Sequence, residues 1–319
     1  MVIRVGILRG GPSAEYEVSL NTGANVLKFL PDKYHKKDIL LTKEGEWYTE
    51  GLFCAPEKIF KSVDVVFNAL HGHFGEDGRV QQIFEAFNIP YTGSGIFASA
   101  AAMNKPVSRE IFKEVGIKVP RSFVVKESDE IENVAFNIFR NIGPSLVVKP
   151  AASGSSVGVS IVHSFPELLK DVYNVFQHGS TALIEEYIRG REVTCGVIEN
   201  FRGKAYYALP VIEIIPPPTA AFFDYCVKYD GTTREICPSY FDDITKKHIQ
   251  DIAVKAHRAL GCRHYSRADM IVSRNGIYLL EVNTLPGLTS ESLLPKAAEA
   301  IGLSFPCLLD HLIQLALNR

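Results

Sequence analysis

The segment Arg267-Ala-Asp-Met-Ile-Val-Ser-Arg-Asn-Gly-Ile-Tyr-Leu-Leu-Glu-Val-Asn-Thr-Leu-Pro-Gly287 decides how the rest of the chain is read. Two apolar runs flank Asn275-Gly276, a dipeptide favoured in tight hairpin turns. The first run carries Arg267 and Asp269, the second Glu281 and Asn283. Residues two apart on a strand share a face. Oxygen donors of this kind suit hard Mg²⁺ ions held jointly with substrate phosphates. A fixed arginine beside them suits the charge that develops when a phosphoryl group moves. Singly, each residue reads as well as a solvated charge on a surface hairpin. The set, closed by Asn283-Thr-Leu-Pro-Gly287, points to chemistry.

Working outward, the chain has 319 residues, enough for two or three domains and a sizeable core. Hydrophobic residues make up 46% and charged residues 22%, an ordinary globular balance. A net charge of −2 offers no electrostatic footprint for nucleic acid or an anionic membrane. Six cysteines have no CxxC spacing, so neither a zinc site nor a thioredoxin-like motif is expected. The opening Met1-Val-Ile-Arg-Val-Gly-Ile-Leu8 reads as a buried strand rather than a signal peptide. No apolar run reaches transmembrane length, so a cytoplasmic chain with reduced thiols is expected.

Val2–Leu8, the turn Gly10-Gly11-Pro-Ser13-Ala-Glu15 and a helix over Glu17–Leu30 form the opening of an α/β unit. Glu15 lies in the loop after the strand, where open α/β sheets place ligands, or is simply a carboxylate favoured at a helix start. A second strand over Val63–Leu70 runs into His71-Gly-His73-Phe-Gly75-Glu76-Asp77-Gly78. His71-x-His73 has the spacing of a metal pair but lacks an evident third ligand. Asn104-Lys105-Pro106 marks a domain boundary. Beyond it, strands are expected over Val119–Val125 and Ser145–Lys149, with a helix over Asp129–Arg140 between them.

Lys149 is followed by Pro150-Ala-Ala-Ser-Gly154-Ser155-Ser156-Val-Gly158, a loop whose N–H and O–H groups can close over phosphates. It also fits G-x-S-x-G. The alternating Val159–His163 favours a hairpin loop over the strand-to-helix elbow that a serine hydrolase needs. A helix over Pro166–Phe176 follows. Thr181–Ile188 reads as an amphipathic strand whose Glu185 and Glu186, with Glu192 beyond, can serve an adenine slot and a ribose. Glu192–Val211 forms two strands turning at Arg202-Gly203. Ile215–Ile236 is long, irregular and aromatic, the composition of a lid. A helix spans Asp242–Leu260. In the last helix Phe305, Leu308, Leu309, Leu312 and Ala316 share one apolar face, which suits core packing better than an oligomer contact.

In this order the motifs resemble the D-alanine–D-alanine ligases of the ATP-grasp superfamily. They are Gly10-Gly11-x-Ser13-x-Glu15-x-x-Val18-Ser19, His71-Gly72-x-x-Gly75-Glu76-Asp77-Gly78, Lys149-Pro150 through Gly158, Lys228-Tyr229, and Arg267-x-Asp269 with Glu281-x-Asn283 and Pro286-Gly287. The resemblance implies a three-domain α/β fold: an N-terminal open parallel-sheet α/β domain (1–103), then central (104–188) and C-terminal (189–319) α+β domains gripping ATP, with a lid near 213–236.

It further implies ATP bound by Lys105, Lys149, Ser155, Ser156, Glu185, Glu186, Tyr187, Ile188 and Glu192. Two Mg²⁺ or Mn²⁺ would sit on Asp269, Glu281 and Asn283, with K⁺ as an additional ion. Glu15, His71, Lys228, Ser292 and Leu293 would meet substrate. Ser155 and Tyr229 would join the phosphate loop and lid to Glu15, and Arg267 with the Gly287 N–H would form the oxyanion hole. The implied activity is ATP-dependent joining of two D-alanines through an acyl phosphate, for peptidoglycan precursors, by a cytoplasmic homodimer. Gln82 and Ala151-Ala152 depart from the family pattern without touching these roles. Tyr229 resembles dipeptide-forming members rather than D-lactate-using ones. The rival readings are another ATP-grasp carboxylate–amine ligase and a nucleotide-binding module without catalysis.

Overall fold

The computed structural model describes residues 2–152, 158–177, 179–217, 233–289 and 291–318, organised on three sheets. The first contains β1 (Arg4–Gly10), β2 (His35–Leu41), β3 (Trp47–Thr49), β4 (Leu52–Phe53) and β5 (Val65–Asn68), in the order β4-β3-β2-β1-β5. Its helices are α1 (Tyr16–Phe29), α2 (Pro56–Lys61), α3 (Arg79–Ala86) and α4 (Ile96–Met103). β1 pairs in parallel with β2 and β5, while β3 and β4 add an antiparallel edge. Val5 and Ile7 enter one core and Leu8 another, so β1 is covered on both faces. That is why its sequence is continuously apolar rather than alternating.

After α5 (Lys105–Glu114) comes an antiparallel sheet of β6 (Ser122–Lys126), β7 (Leu146–Pro150), β8 (Ser160–Val162) and β9 (Thr181–Glu186), ordered β6-β9-β7-β8. Helices α6 (Ile131–Ile142) and α7 (Phe165–Phe176) pack on one face. Leu146, Val148, Ala182 and Ile184 point into that core, leaving Val147, Lys149 and Glu185 on the other face, as period-two alternation requires. β7 and β8 pair antiparallel, Val148 opposite Ser160, so the described elements on either side of the G-x-S-x-G motif are both strands, where a nucleophile elbow has a strand and a helix.

The third sheet holds β10 (Arg191–Phe201), β11 (Lys204–Ala208), β12 (Ile212–Ile215), β13 (Arg234–Ile236), β14 (Tyr265–Ser273) and β15 (Gly276–Asn283). Its path is β13-β12-β10-β14-β15, with β11 on β10. It is accompanied by α8 (Asp243–Leu260), α9 (Leu293–Glu299) and α10 (Phe305–Leu317). The β10–β11 turn falls on Arg202-Gly203, both at positive φ.

Two expectations are corrected here. The stretch 215–236 is not irregular throughout. β12 and β13 pair at its ends, Ile215 opposite Arg234, because the ladder satisfies backbone groups that a loose loop would leave unpaired. The main hairpin turns on Arg274-Asn275 rather than Asn275-Gly276. Ser273 pairs with Gly276, and positive φ falls on Gly276 alone, where no Cβ opposes it.

The apolar face of α10 is core. Leu308, Leu309, Leu312 and Ala316 are buried with Val5 and Ile7 of β1 and Val26 of α1, while Phe305 packs edge-on against Phe29. Phe112 of α5 lies in the core beneath the third sheet, with Ala256, Met270 and Leu279. Among the described residues no helix is long and apolar enough to cross a membrane.

Candidate active site

A cavity of about 450 Å³ lies between the second and third sheets. Val147, Lys149, Ile161 and Glu185 line it from one side, and Glu192, Arg267, Asp269, Ile271, Leu280 and Glu281 from the other. Glu186, Tyr187 and Ile188 line it where the chain crosses between the sheets. A Cβ on Gly190 would lie 2.4 Å from the Ile271 side chain and the Val272 carbonyl, so the crossing presses on β14 only with glycine there. Lys105 also lines it, as does Leu293, which the resemblance assigns to substrate rather than to the nucleotide.

One irregularity shapes the cavity floor. In the β14–β15 ladder Arg267 faces Asn283 and Asp269 faces Glu281, but Met270 faces Leu279. Leu280 is therefore the extra residue of a β-bulge. Ile277, Leu279 and Val282 are buried in the core below, whereas the consecutive Leu280 and Glu281 both reach the cavity. The bulge thus puts an apolar surface and a carboxylate side by side.

Asp269 is held from several directions. Arg267 donates Nε and Nη2 to its two oxygens, both at 2.8 Å. Asn283 Nδ2 donates to Oδ2 at 3.0 Å, and Thr194, directly opposite on β10, donates its hydroxyl to Oδ1 at 2.6 Å. Glu281 lies 3.3 Å from the Lys105 ammonium. Asp269, Glu281 and Asn283 thus offer two carboxylates and an amide oxygen, a hard donor set that fits Mg²⁺ or Mn²⁺.

Deeper in, the Lys149 ammonium lies 2.6 Å from Glu185 Oε2, and Arg109 holds Oε1. Burial lowers the Lys149 pKa, the Glu185 carboxylate opposes this, and the positive charges of Arg109 and Lys105 add to the lowering. Burial works to raise the Glu185 carboxyl, yet Arg109 and Lys149 together hold it below the ordinary value. Glu186 is tied instead to Arg121, at 2.9 and 3.1 Å. Arg191 forks onto buried Glu213 at the cavity edge.

A second cleft, of about 360 Å³, is lined by Ser13, Glu15, Gly72, Arg79, Asn104 and Ala152 among others. Of its lining residues Glu15 also approaches buried His71 and Glu76, the ligand atoms of the three lying within 4.8 Å of one another. His71 is buried, with Nε2 2.8 Å from the Thr22 hydroxyl, while Glu76 accepts the Gly72 N–H at 2.8 Å. A Cβ on Gly72 would lie 2.5 Å from the Ser13 hydroxyl, and Gly72 sits at φ +71°. The His71-x-His73 pair is not assembled: His71 is buried, whereas His73 is exposed in the cleft lining, 3.4 Å from Asp77. A small pocket lined by Glu76, Met103, Lys105, Glu281 and Asn283 shares Met103 with this cleft and Lys105 and Glu281 with the large cavity.

At the far end of the hairpin, a Cβ on Gly287 would lie 2.7 Å from the Ser292 hydroxyl. That hydroxyl accepts the Thr289 N–H at 3.0 Å, which closes the turn before α9. Ser155, Ser156, Lys228 and Tyr229 lie outside the described residues. Sequence reasoning missed Thr194 and Arg109. A threonine in a strand and an arginine in Lys105-Pro-Val-Ser-Arg109-Glu carry no local mark of what they touch. Glu76 had such a mark, its place in a glycine-rich loop after a strand.

The family model described as D-ala D-ala ligase C-terminus matches residues 111–314, and the one described as D-ala D-ala ligase N-terminus matches residues 53–94. A D-alanine–D-alanine ligase from Syntrophobacter fumaroxidans is 43% identical, over 99% of this chain and 98% of its own length. Another from Desulfotalea psychrophila is 39% identical, over 99% and 96%. Among solved structures, the D-alanine–D-alanine ligase of Bacillus anthracis complexed with ATP superposes with a TM-score of 0.82 at 32% identity, covering 99% of this chain and 98% of that one. The VanG D-Ala:D-Ser ligase of Enterococcus faecalis gives 0.86 at 34% identity, covering 99% and 100%. The three-sheet architecture is that of ATP-grasp enzymes, and the chain belongs to the D-alanine–D-alanine ligase family.

Proposed function

We propose that this chain joins two D-alanine molecules to D-alanyl-D-alanine, converting ATP to ADP and phosphate. The observation that carries the reading is the adjacency of its sites. The nucleotide-sized cavity and a small pocket share Lys105 and Glu281, and that pocket shares Met103 with the cleft lined by Glu15. A phosphoryl donor and a small ammonium-bearing acid could meet where they adjoin.

In this reading the adenine lies among Tyr187, Ile188 and Leu280, the ribose reaches Glu192, and Lys105 and Lys149 meet the phosphates. Mg²⁺ or Mn²⁺ on Asp269, Glu281 and Asn283, two ions in the fullest form, supplies neutralisation of phosphate charge when bound. Glu15 takes the ammonium of the first D-alanine, with buried His71 beside it. That molecule's carboxylate oxygen attacks the γ-phosphorus, the bond to ADP breaks, and an acyl phosphate forms. The second D-alanine, placed near Ser292 and Leu293, attacks the acyl carbon with its deprotonated amine. The tetrahedral oxyanion is met by the Arg267 guanidinium and the Gly287 N–H, and phosphate departs with the electron pair. Arg267 must release Asp269 to do so, which suits a cation taking its place on that carboxylate. Closure of the loop containing Ser155 and Ser156 and of the segment containing Lys228 and Tyr229 keeps water from the acyl phosphate.

We further infer a cytoplasmic homodimer, with K⁺ as an accessory ion and a role in supplying peptidoglycan precursors. The domain limits 1–103, 104–188 and 189–319 belong to the same reading. A second reading, with D-serine or D-lactate as the second substrate, is motivated by the likeness to the D-Ala:D-Ser ligase. The test is ADP release with product masses, supplying MgATP and D-alanine alone, D-alanine with D-serine or D-lactate, and L-alanine. Equal amounts of ADP and D-alanyl-D-alanine, formed from D-alanine alone, are expected. A preference for a mixed product would move the assignment to the second reading. ADP binding without ADP production under any condition would refute the ligase.

A further inference from the structure

We propose that Arg109 is a positioning residue for the nucleotide: by holding one oxygen of Glu185 it keeps that carboxylate from turning wholly onto Lys149 and fixes the Lys149 ammonium for the phosphates. The proposal rests on the nucleotide-binding part of the reading above.

Among the described residues Arg109 is the largest fully buried side chain. It projects from α5, whose core is shared with the third sheet. Its Nε donates to Glu185 Oε1 at 2.8 Å, with Nη2 2.7 Å from the same oxygen. Its Nη1 donates to the Leu279 carbonyl at 2.9 Å. Glu185 Oε2 lies 2.6 Å from the Lys149 ammonium. One guanidinium therefore touches the second sheet through Glu185 and the third through the residue preceding the Leu280 bulge.

β15 lies at the edge of its sheet, and an edge strand leaves one row of backbone groups without ladder partners. At Leu279 the N–H goes to the Lys118 carbonyl and the C=O to Arg109. The bulge that turns both Leu280 and Glu281 into the cavity is thus fixed from outside the sheet.

Burying a guanidinium is expensive unless every contact counts. A leucine would fill the volume but would leave Glu185 with Lys149 alone. A carboxylate with a single cationic partner neutralises it and can turn both oxygens onto it. Shared between two cations, Glu185 fixes the Lys149 rotamer while offsetting only part of the charge. Lys105 starts the same helix, so three cations, Lys105, Arg109 and Lys149, stand against two carboxylates, Glu185 and Glu281. Within this cluster the surplus is positive, the sign a polyphosphate needs, while Glu186, Glu192, Glu213 and Asp269 carry the opposite charge elsewhere around the cavity.

The test is calorimetric titration of the full chain with ADP and Mg²⁺, without D-alanine. Arg109→Met is expected to weaken ADP binding about tenfold to a hundredfold, the loss of hydrogen bonds to a charged group. At saturating ATP the KM for D-alanine should stay within about twofold, since Arg109 lies away from the Glu15 cleft. Adding Glu185→Gln to Arg109→Met should recover at least about threefold in ADP affinity, because the unshared carboxylate is then gone. A merely structural arginine predicts no such recovery.

ADP affinity of Arg109→Met within about twofold of wild type, or a double variant no better than the single, overturns the proposal. If Arg109→Met does not fold, Arg109→Lys takes its place. It keeps the charge but loses the fork, and about threefold to tenfold weaker binding is expected, an unchanged affinity being the refuting result. ADP binding needs no turnover. Wild type that binds ADP without making dipeptide would refute the ligase reading while leaving Arg109 open to this test, and an unchanged Arg109→Met would refute only Arg109.

Discussion

Replacing Thr194 by valine removes one hydroxyl and almost no volume. Thr194 is buried, sits opposite Asp269 in the β10–β14 ladder, and lies 2.6 Å from Oδ1 and 3.2 Å from the Ala268 carbonyl. The other donors to Asp269 come from Arg267 and Asn283. Arg267 must rearrange if it serves an oxyanion, whereas Thr194 is fixed by its strand. The hydroxyl is therefore the contact that orients Asp269 throughout the cycle. A hydrogen bond to a charged group is worth about 1.5–3 kcal/mol. At about 1.4 kcal/mol per decade, that is roughly tenfold to a hundredfold in metal affinity if the loss falls on the ligand's orientation. The same range is typical when a group supporting a metal ligand is removed. Two measurements check it: the Mg²⁺ concentration that half-saturates D-alanine-dependent ADP release, and Mn²⁺ binding by electron paramagnetic resonance with ADP present. Both constants should rise together, with the KM for D-alanine unchanged. If Thr194→Val keeps both within about twofold of wild type, Asp269 is oriented without the hydroxyl and the reasoning fails.

Two other predictions follow from the same geometry. Gly72→Ala places a Cβ at positive φ and 2.5 Å from the Ser13 hydroxyl, which accepts the Glu15 N–H. The left-handed backbone costs about 1–2 kcal/mol and the lost hydrogen bond about 1 kcal/mol more, so the KM for D-alanine should rise more than the KM for ATP, and equal rises would refute a local effect. The Glu185 carboxyl is held below its ordinary 4.5, Arg109 and then Lys149 outweighing burial. A carboxyl depressed in the folded state contributes stability that is fully present above its unfolded pKa and lost as pH falls through the folded value. The melting temperature of wild type should therefore fall more steeply than that of Glu185→Gln from about pH 5 downwards, and parallel slopes would show that the carboxylate is not paired as described.

Most of the second sheet was legible because alternation is a local property. Val147, Lys149 and Glu185 share parity with respect to Leu146, Val148 and Ile184, and that parity survived folding. The same rule failed on β15. Counting by two from Tyr278 puts Leu280 on the cavity face and Glu281 in the core, yet both reach the cavity. One unpaired residue reverses the parity, and bulges have no reliable composition. His71 and His73 show a related limit: their spacing is that of neighbours, but a glycine loop sends one inward and the other to solvent. The lid bases were missed because Ile212–Ile215 and Arg234–Ile236 pair only with partners far along the chain.

The sequence by itself determined the α/β character, the hairpin that carries Arg267, Asp269, Glu281 and Asn283, and the apolar face of the last helix. These follow from periods of two and 3.6 residues and from turn-forming pairs, which act between near neighbours. Only the tertiary structure decided which charges meet. Arg109 and Glu185 are 76 positions apart, Thr194 and Asp269 are 75 apart, and Glu15 comes within 4.8 Å of His71 and Glu76. Such contacts are set by how three separately patterned sheets pack, and burial rather than residue type then decides whether a charge is solvated or paired.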